Sequence, residues 1–239
     1  MSRVGLAVGG VVLVVAGVAV ATNWSFATTS ERTDTVAAAI RHVEIDNGSG
    51  RVVVRAGEVS ETVVEQRLAY VGDEPGRAFE VEGSTLVLAG CGSDCSVDYE
   101  VTVPRGVTVA GEVSSGDVVV RDASDVDVRA TSGDVEVRLT GARRVAVEAT
   151  SGDVDLHVAE VEEVHATTTS GDMNLDVERV DTVRAEATSG DIEVTAPHGD
   201  YRVTVSTTSG DQDVRGDDPD AERVLDLTAT SGDVTVRGV

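Results

Sequence analysis

The sequence predicts an all-β fold: a β-solenoid, parallel β-helix-like, of about seven two-strand coils, preceded by a less regular β region and an N-terminal transmembrane helix. Three observations carry this. The tripeptide Ser-Gly-Asp occurs seven times, its copies are spaced near 20 residues apart, and the residues on either side alternate between apolar and polar.

The repeated corners are Gly116 and Asp117, Gly133 and Asp134, Gly152 and Asp153, Gly171 and Asp172, Gly190 and Asp191, Gly210 and Asp211, and Gly232 and Asp233. The steps between their glycines are 17, 19, 19, 19, 20 and 22 residues. After each Asp, apolar residues fall on alternate positions, as in Val135, Val137 and Leu139 or Val154, Leu156 and Val158. Before each Ser a second alternating run appears, as in Val126, Val128 and Ala130 or Leu225, Leu227 and Ala229. A period of two is a strand with one face buried, so each repeat holds two strands and two turns. An antiparallel meander of hairpins fits the same unit. The near-constant length and the identical corner favour the solenoid, because stacking in register rewards the same residue at the same place in every coil.

Glycine in the corner supplies a backbone conformation that other residues adopt at a cost, and the Ser and Asp side chains satisfy turn amides that lack a strand partner. A second reading makes the seven carboxylates a stacked cation site. Neighbours about 4.8 Å apart repel by roughly 1 kcal/mol in water, and calcium would relieve that. The calcium-binding nonapeptide, however, reads Gly-Gly-x-Gly-x-Asp, and these corners carry one glycine each.

The N-terminus has a different character. Residues 4–21, VGLAVGGVVLVVAGVAVA, are uncharged and would span roughly 27 Å as a helix, close to the ~30 Å hydrocarbon thickness. Arg3 before the run places the following chain outside the membrane, and Trp24 sits where an interfacial aromatic belongs. Ala19-Val20-Ala21 also fits a cleavage site, which would make the protein secreted. The expected organisation is an anchor or signal segment at 1–22, a linker at 23–41, an irregular β region at 42–112 and the repeat solenoid at 113–239.

Cys91 and Cys95 are the only cysteines, and no histidine lies near them in sequence. Two ligands make a poor zinc site, so a short-loop disulfide of an oxidising compartment is the reading. The chain carries 43 acidic residues against 19 basic ones, all arginine, for a net charge of -24. That excludes nucleic acid as a partner of the folded part, since phosphate binding rests on basic residues. Residues 113–239 hold 28 acidic residues, 11 arginines and one aromatic, Tyr201, so platforms for sugar stacking are absent there. One repeat departs from the pattern: Gln212 stands where the others have Val, Met or Ile, and the polar RGDDPDAER at 215–223 predicts a protruding loop. The Arg-Gly-Asp at 215–217 matches an integrin-binding tripeptide, but in a chain rich in these residues it arises readily by chance.

From CSVDYEVTVPRGVTVAGEVSSGDVVV, residues 95–120, through the corners that follow, the chain resembles the bacterial putative-adhesin family of β-solenoid domains catalogued as a domain of unknown function. The Cys pair, the strand Val97 to Pro104 and the repeated corner carry the resemblance, which covers most of residues 40–239. It implies a solenoid exposed at the cell surface and transfers no active site.

Against catalysis, His42, His157, His165 and His198 are scattered, and short coils leave little room for the loops that build a cleft. No cofactor or metal is expected. The sequence points to a non-catalytic binding or structural module of the cell envelope, anchored through residues 4–21, with an extracytoplasmic sensory domain that acts through a partner membrane protein as the alternative. The last coil, ending at Val239, lacks an obvious polar cap, so its edge is expected to stack on a second copy.

Overall fold

The computed structural model describes residues 27–239; the expected anchor and Trp24 lie outside the described residues. Strand β1 (Thr28–Val36) leads to a first coil of β2 (His42–Ser49) and β3 (Val52–Gly57). Strands β4 (Thr62–Tyr70) and β5 (Phe79–Glu82) precede a second coil, β6 (Thr85–Ala89) with β7 (Cys95–Pro104). Five regular coils follow: β8 (Thr108–Ser115) with β9 (Val118–Arg121), β10 (Asp125–Ser132) with β11 (Val135–Thr140), β12 (Arg144–Ser151) with β13 (Val154–Ala159), β14 (Glu163–Ser170) with β15 (Met173–Glu178), and β16 (Thr182–Ser189) with β17 (Ile192–Ala196). The last two are β18 (Tyr201–Ser209) with β19 (Gln212–Val214), and β20 (Arg223–Ser231) with β21 (Val234–Gly238). The described residues form no helix.

These strands make two sheets, one of eleven strands and one of ten, and each coil contributes one strand to each sheet. Neighbouring coils pair in parallel, residue for residue, so the solenoid replaces the meander. Inward positions form continuous columns across the stack, such as Val135, Val154, Met173 and Ile192, and these columns are the core between the sheets. The repeat region holds the seven coils expected, and the irregular region at 42–112 contributes two more to the same stack, nine in all.

The stack does not follow chain order at either end. Coil β2/β3 lies between coil β6/β7 and coil β8/β9, and coil β20/β21 lies between coil β16/β17 and coil β18/β19. At the C-terminal end composition explains this. Leu225, Leu227, Ala229, Val234 and Val236 fill the inward positions of β20/β21 and are buried, whereas the same positions of β18/β19 hold Val203, Val205, Thr207, Gln212 and Val214. Burial favours the apolar coil for the interior place, and the polar one closes the stack. Each terminal coil also carries a buried tyrosine that meets backbone groups outside the ladder. The Tyr99 hydroxyl lies 2.7 Å from the carbonyl oxygens of Ala78 and Ala89, and Tyr201 accepts the Val180 amide at 2.9 Å.

Three expectations are corrected. The linker placed at 23–41 contains β1, which pairs antiparallel with β4 along its whole length. Its β-branched threonines suit a strand, and its charges suit a sheet edge. The coil at 223–239 is interior, so the end of the stack is β18/β19, whose inward positions hold Thr207 and Gln212 beside Val203, Val205 and Val214. The loop predicted to protrude at 215–223 instead begins by lying along the β18 edge. There Asp217 bridges to Tyr201 and accepts the Val203 amide at 2.8 Å, and the Asp218 amide donates to the Tyr201 carbonyl at 2.9 Å.

Candidate functional site

The seven predicted corners come together as one row, in the order Asp117, Asp134, Asp153, Asp172, Asp191, Asp233 and Asp211. Each Oδ1 accepts the amide of the next Asp, at 3.2 Å for the first pair and 2.7 to 2.9 Å for the rest. Gly116, Gly133, Gly152, Gly171, Gly190, Gly232 and Gly210 have φ from +131° to +151°, and a Cβ on any of them would fall 2.0 to 2.2 Å from a carbonyl oxygen of the adjacent corner. The motif thus follows from stacking: glycine lets one corner approach the next, and Asp caps the amide that the turn exposes. Among the described residues no group of three or more His, Cys, Asp and Glu side chains is placed to hold a metal ion.

Cys91 and Cys95 form a disulfide with their Cα atoms 5.5 Å apart. It closes the turn between β6 and β7, where coil β6/β7 would otherwise place its corner. The histidines do not converge: His42 meets Thr108, His157 lies 3.5 Å from Asp176, and His165 meets Thr167. The Arg-Gly-Asp tripeptide is engaged within the chain, Arg215 with Asp213 and Asp217 with the Val203 amide.

Sequence reasoning missed a basin of about 500 Å³ on the outer face of the eleven-stranded sheet across β1, β4, β7, β3 and β9. Its floor is Val53 beside Val119, paired in register and facing away from the core. They are only 9% and 3% exposed. Further along the same outward column the residues are Glu136, Asp155, Asn174 and Glu193.

Five arginines and four carboxylates line the rim. Arg55, Arg121 and Arg138 occupy consecutive rungs of one outward row. Arg55 pairs with Glu100, and Arg121 and Arg138 share Glu136 at 3.0 and 2.7 Å. Burial works to raise the pKa of Glu136, but hydrogen bonds from Arg138 and Arg121 outweigh it and hold the carboxyl below its ordinary range. The Arg121 Nε is buried without a hydrogen-bond partner. At the other end of the floor stands Arg51. Ser49 pairs in register with Ser115, so Arg51 occupies the corner place that Asp117 fills one coil later. Its amide donates to Asp98 at 2.8 Å, and among the described residues no carboxylate lies within 4.0 Å of its guanidinium. The available signal was the unbroken Val-Val-Val-Arg at 52–55 and 118–121, where the later coils place a polar residue between their inward positions.

The family model for Toastrack DUF4097, a domain of unknown function, matches residues 40–238. The chain belongs to the Toastrack DUF4097 family. Among solved structures, this Toastrack chain is similar to a putative adhesin from Bacteroides fragilis, at a TM-score of 0.56 and 14% identity over 87% of this chain and 97% of that one. A putative adhesin from Parabacteroides distasonis gives a TM-score of 0.52 and 11% identity over 86% and 96%. One from Parabacteroides merdae gives 0.50 and 8% over 87% and 96%. At such identities the likeness is one of fold. No curated protein matches the Toastrack chain.

Proposed function

We propose that this chain is a non-catalytic binding and structural module of the cell envelope, held at the membrane by residues 4–21 with the solenoid outside. The observation that carries the reading is the basin: a concavity of about 500 Å³ in which five arginines and four carboxylates converge, on a molecule of net charge -24. Concave sites with convergent polar groups are where ligands bind. The fold shared with proteins described as putative adhesins and the short-loop disulfide support the envelope setting. Regular coils with short corners supply a rigid platform rather than mobile catalytic loops.

Co-sedimentation of the full chain with insoluble bacterial envelope polymer tests the reading. Retention is expected for the unaltered chain. It should fall at least tenfold when Arg55→Glu and Arg67→Glu are combined on the basin rim, and stay unchanged for Arg129→Glu with Arg184→Glu on the opposite sheet. No retention of the unaltered chain, or equal retention of all three, would overturn it. Recovery of the chain with one membrane protein instead would move the reading to a sensory ectodomain.

A further inference from the structure

We infer that the solenoid carries a masked docking face for a second copy of this chain: the end face of coil β20/β21, covered in this structure by β18/β19 and held closed by the connection at 215–222. This goes beyond the envelope-binding reading and does not depend on the basin.

Four observations meet at this end of the stack. The first is how the cover is attached. Among the strands described, β18 pairs only with β20 and β19 only with β21, so the covering coil reaches the rest of the stack through the last one. It is also the less apolar of the two. Val203 and Val205 are partly buried and Val214 is 38% exposed, over a layer in which Leu225, Leu227, Ala229, Val234 and Val236 are buried.

The second is register. Through β20, Val203 lies in one column with Val183, Val205 with Ala185, and Ser209 with Ser189. Coil β18/β19 therefore fits on β16/β17 with the same columns and the same Ser-Gly-Asp corner, which is the place chain order would give it. The third is the connection. Within the regular coils the four links from one coil to the next take three residues each, whereas the link from β19 back to β20 takes eight, 215–222. That link is latched to the cover: the Gly216 carbonyl accepts the Gly199 amide at 3.0 Å, Asp217 accepts the Val203 amide at 2.8 Å, and the Asp218 amide donates to the Tyr201 carbonyl at 2.9 Å.

The fourth is charge. Arg184 lies 3.5 Å from Asp226, and Arg237 pairs with Glu193. Stacking in chain order would lose both pairs and set Asp213 opposite Glu193, where Thr235 now stands between them; like charges directly opposite are destabilising. The end of the stack thus has two in-register orders, and burial and ion pairing select the closed one. The open order places β20/β21 outermost, with two unpaired strand edges and the five apolar side chains between them, a template for further pairing. Its columns and corner accept a coil of the same width with the same turn, and the end of a second copy presents that coil. Both partners are acidic, so added salt strengthens the contact.

The test uses cysteine pairs at exposed outward positions of the full chain, with Cys91 and Cys95 untouched. Arg184→Cys with Asp226→Cys joins neighbouring strands of the closed order. Arg184→Cys with Thr204→Cys lies two strands apart there, about 9.6 Å against a reach of about 7 Å for a disulfide, and becomes adjacent only in the open order. In a thiol–disulfide exchange buffer the first bond is expected to form within one chain and to leave a monomer at every concentration in sedimentation. The second is expected to form more slowly, also within one chain, and to give a product that reaches twice the mass as concentration rises, more readily at high salt. Shortening the connection to Arg215, Gly216 and Glu222 should speed the second bond at least tenfold. A bond between positions 184 and 204 that never forms within a chain while the bond between 184 and 226 completes, or an open-locked product that stays monomeric at every concentration and salt, would overturn the inference. A folded short-connection chain no faster than the full one would remove the connection as the latch.

Discussion

At Gly171 φ is +141°, and a Cβ would sit 2.1 Å from the Gly152 carbonyl oxygen. Backbone on both sides fixes that distance, so no rotamer change relieves it. Gly171→Ala is expected to lose about 2–5 kcal/mol of stability, the strain of the backbone region added to the overpacking, measured by denaturant unfolding. Asp153 is different in kind. It supplies an acceptor to the Asp172 amide at 2.9 Å and nothing in the corner requires its charge. Asp153→Asn keeps an acceptor in place and should cost less than half of what Asp153→Ala costs, about 1 kcal/mol. A loss in the Asn variant equal to that in the Ala variant would show that the charge itself matters. The corner was legible in the sequence because a turn constraint repeats with the turn. The basin was not, because its apolar floor differs from a core strand only by a valine at the outward position, and periodicity alone reads such a run as better buried strand.

On the scale of the coil, pairing and alternation were visible, but stacking order was not. Every interior coil offers the same inward pattern, so the sequence permits several orders and the difference lies in a few residues: Thr207 and Gln212 in one terminal coil against Ala229 and Val234 in the coil that displaces it. The departure at Gln212 was visible; its meaning as a cap needed the neighbouring coil. Gln212→Val would make the end face continuous with the core column of Val234 and Ile192. It is expected to leave monomer stability within about 0.5 kcal/mol and to produce concentration-dependent association in sedimentation, since exposed strand edges with apolar faces template pairing. A strictly monomeric variant over the same range would remove the capping role. The disulfide acts on one coil only. It closes a loop with a sequence separation of 4, and chain entropy gives such a closure about 2 kcal/mol. Reduction should therefore shift the unfolding midpoint without splitting the transition; a separate early transition would mean that the β6/β7 coil folds by itself.

For the whole molecule, nine coils supply 18 of the 21 strands in the two sheets, the first and last coils of the chain each lie inside a neighbouring coil, and the surface is strongly acidic. The Ser-Gly-Asp row could serve the structure or a ligand, and the hydrogen bonds that its carboxylates accept from the amides of the adjacent corners favour the structure. Thermal unfolding of the full chain in excess EDTA, then in millimolar calcium and matched magnesium, tests this most directly. If the row is the corner of the coil, the two cations should shift the midpoint equally and slightly, through screening of the net negative charge. A rise of many degrees in calcium that magnesium does not reproduce would make the row a specific cation site and contradict the account.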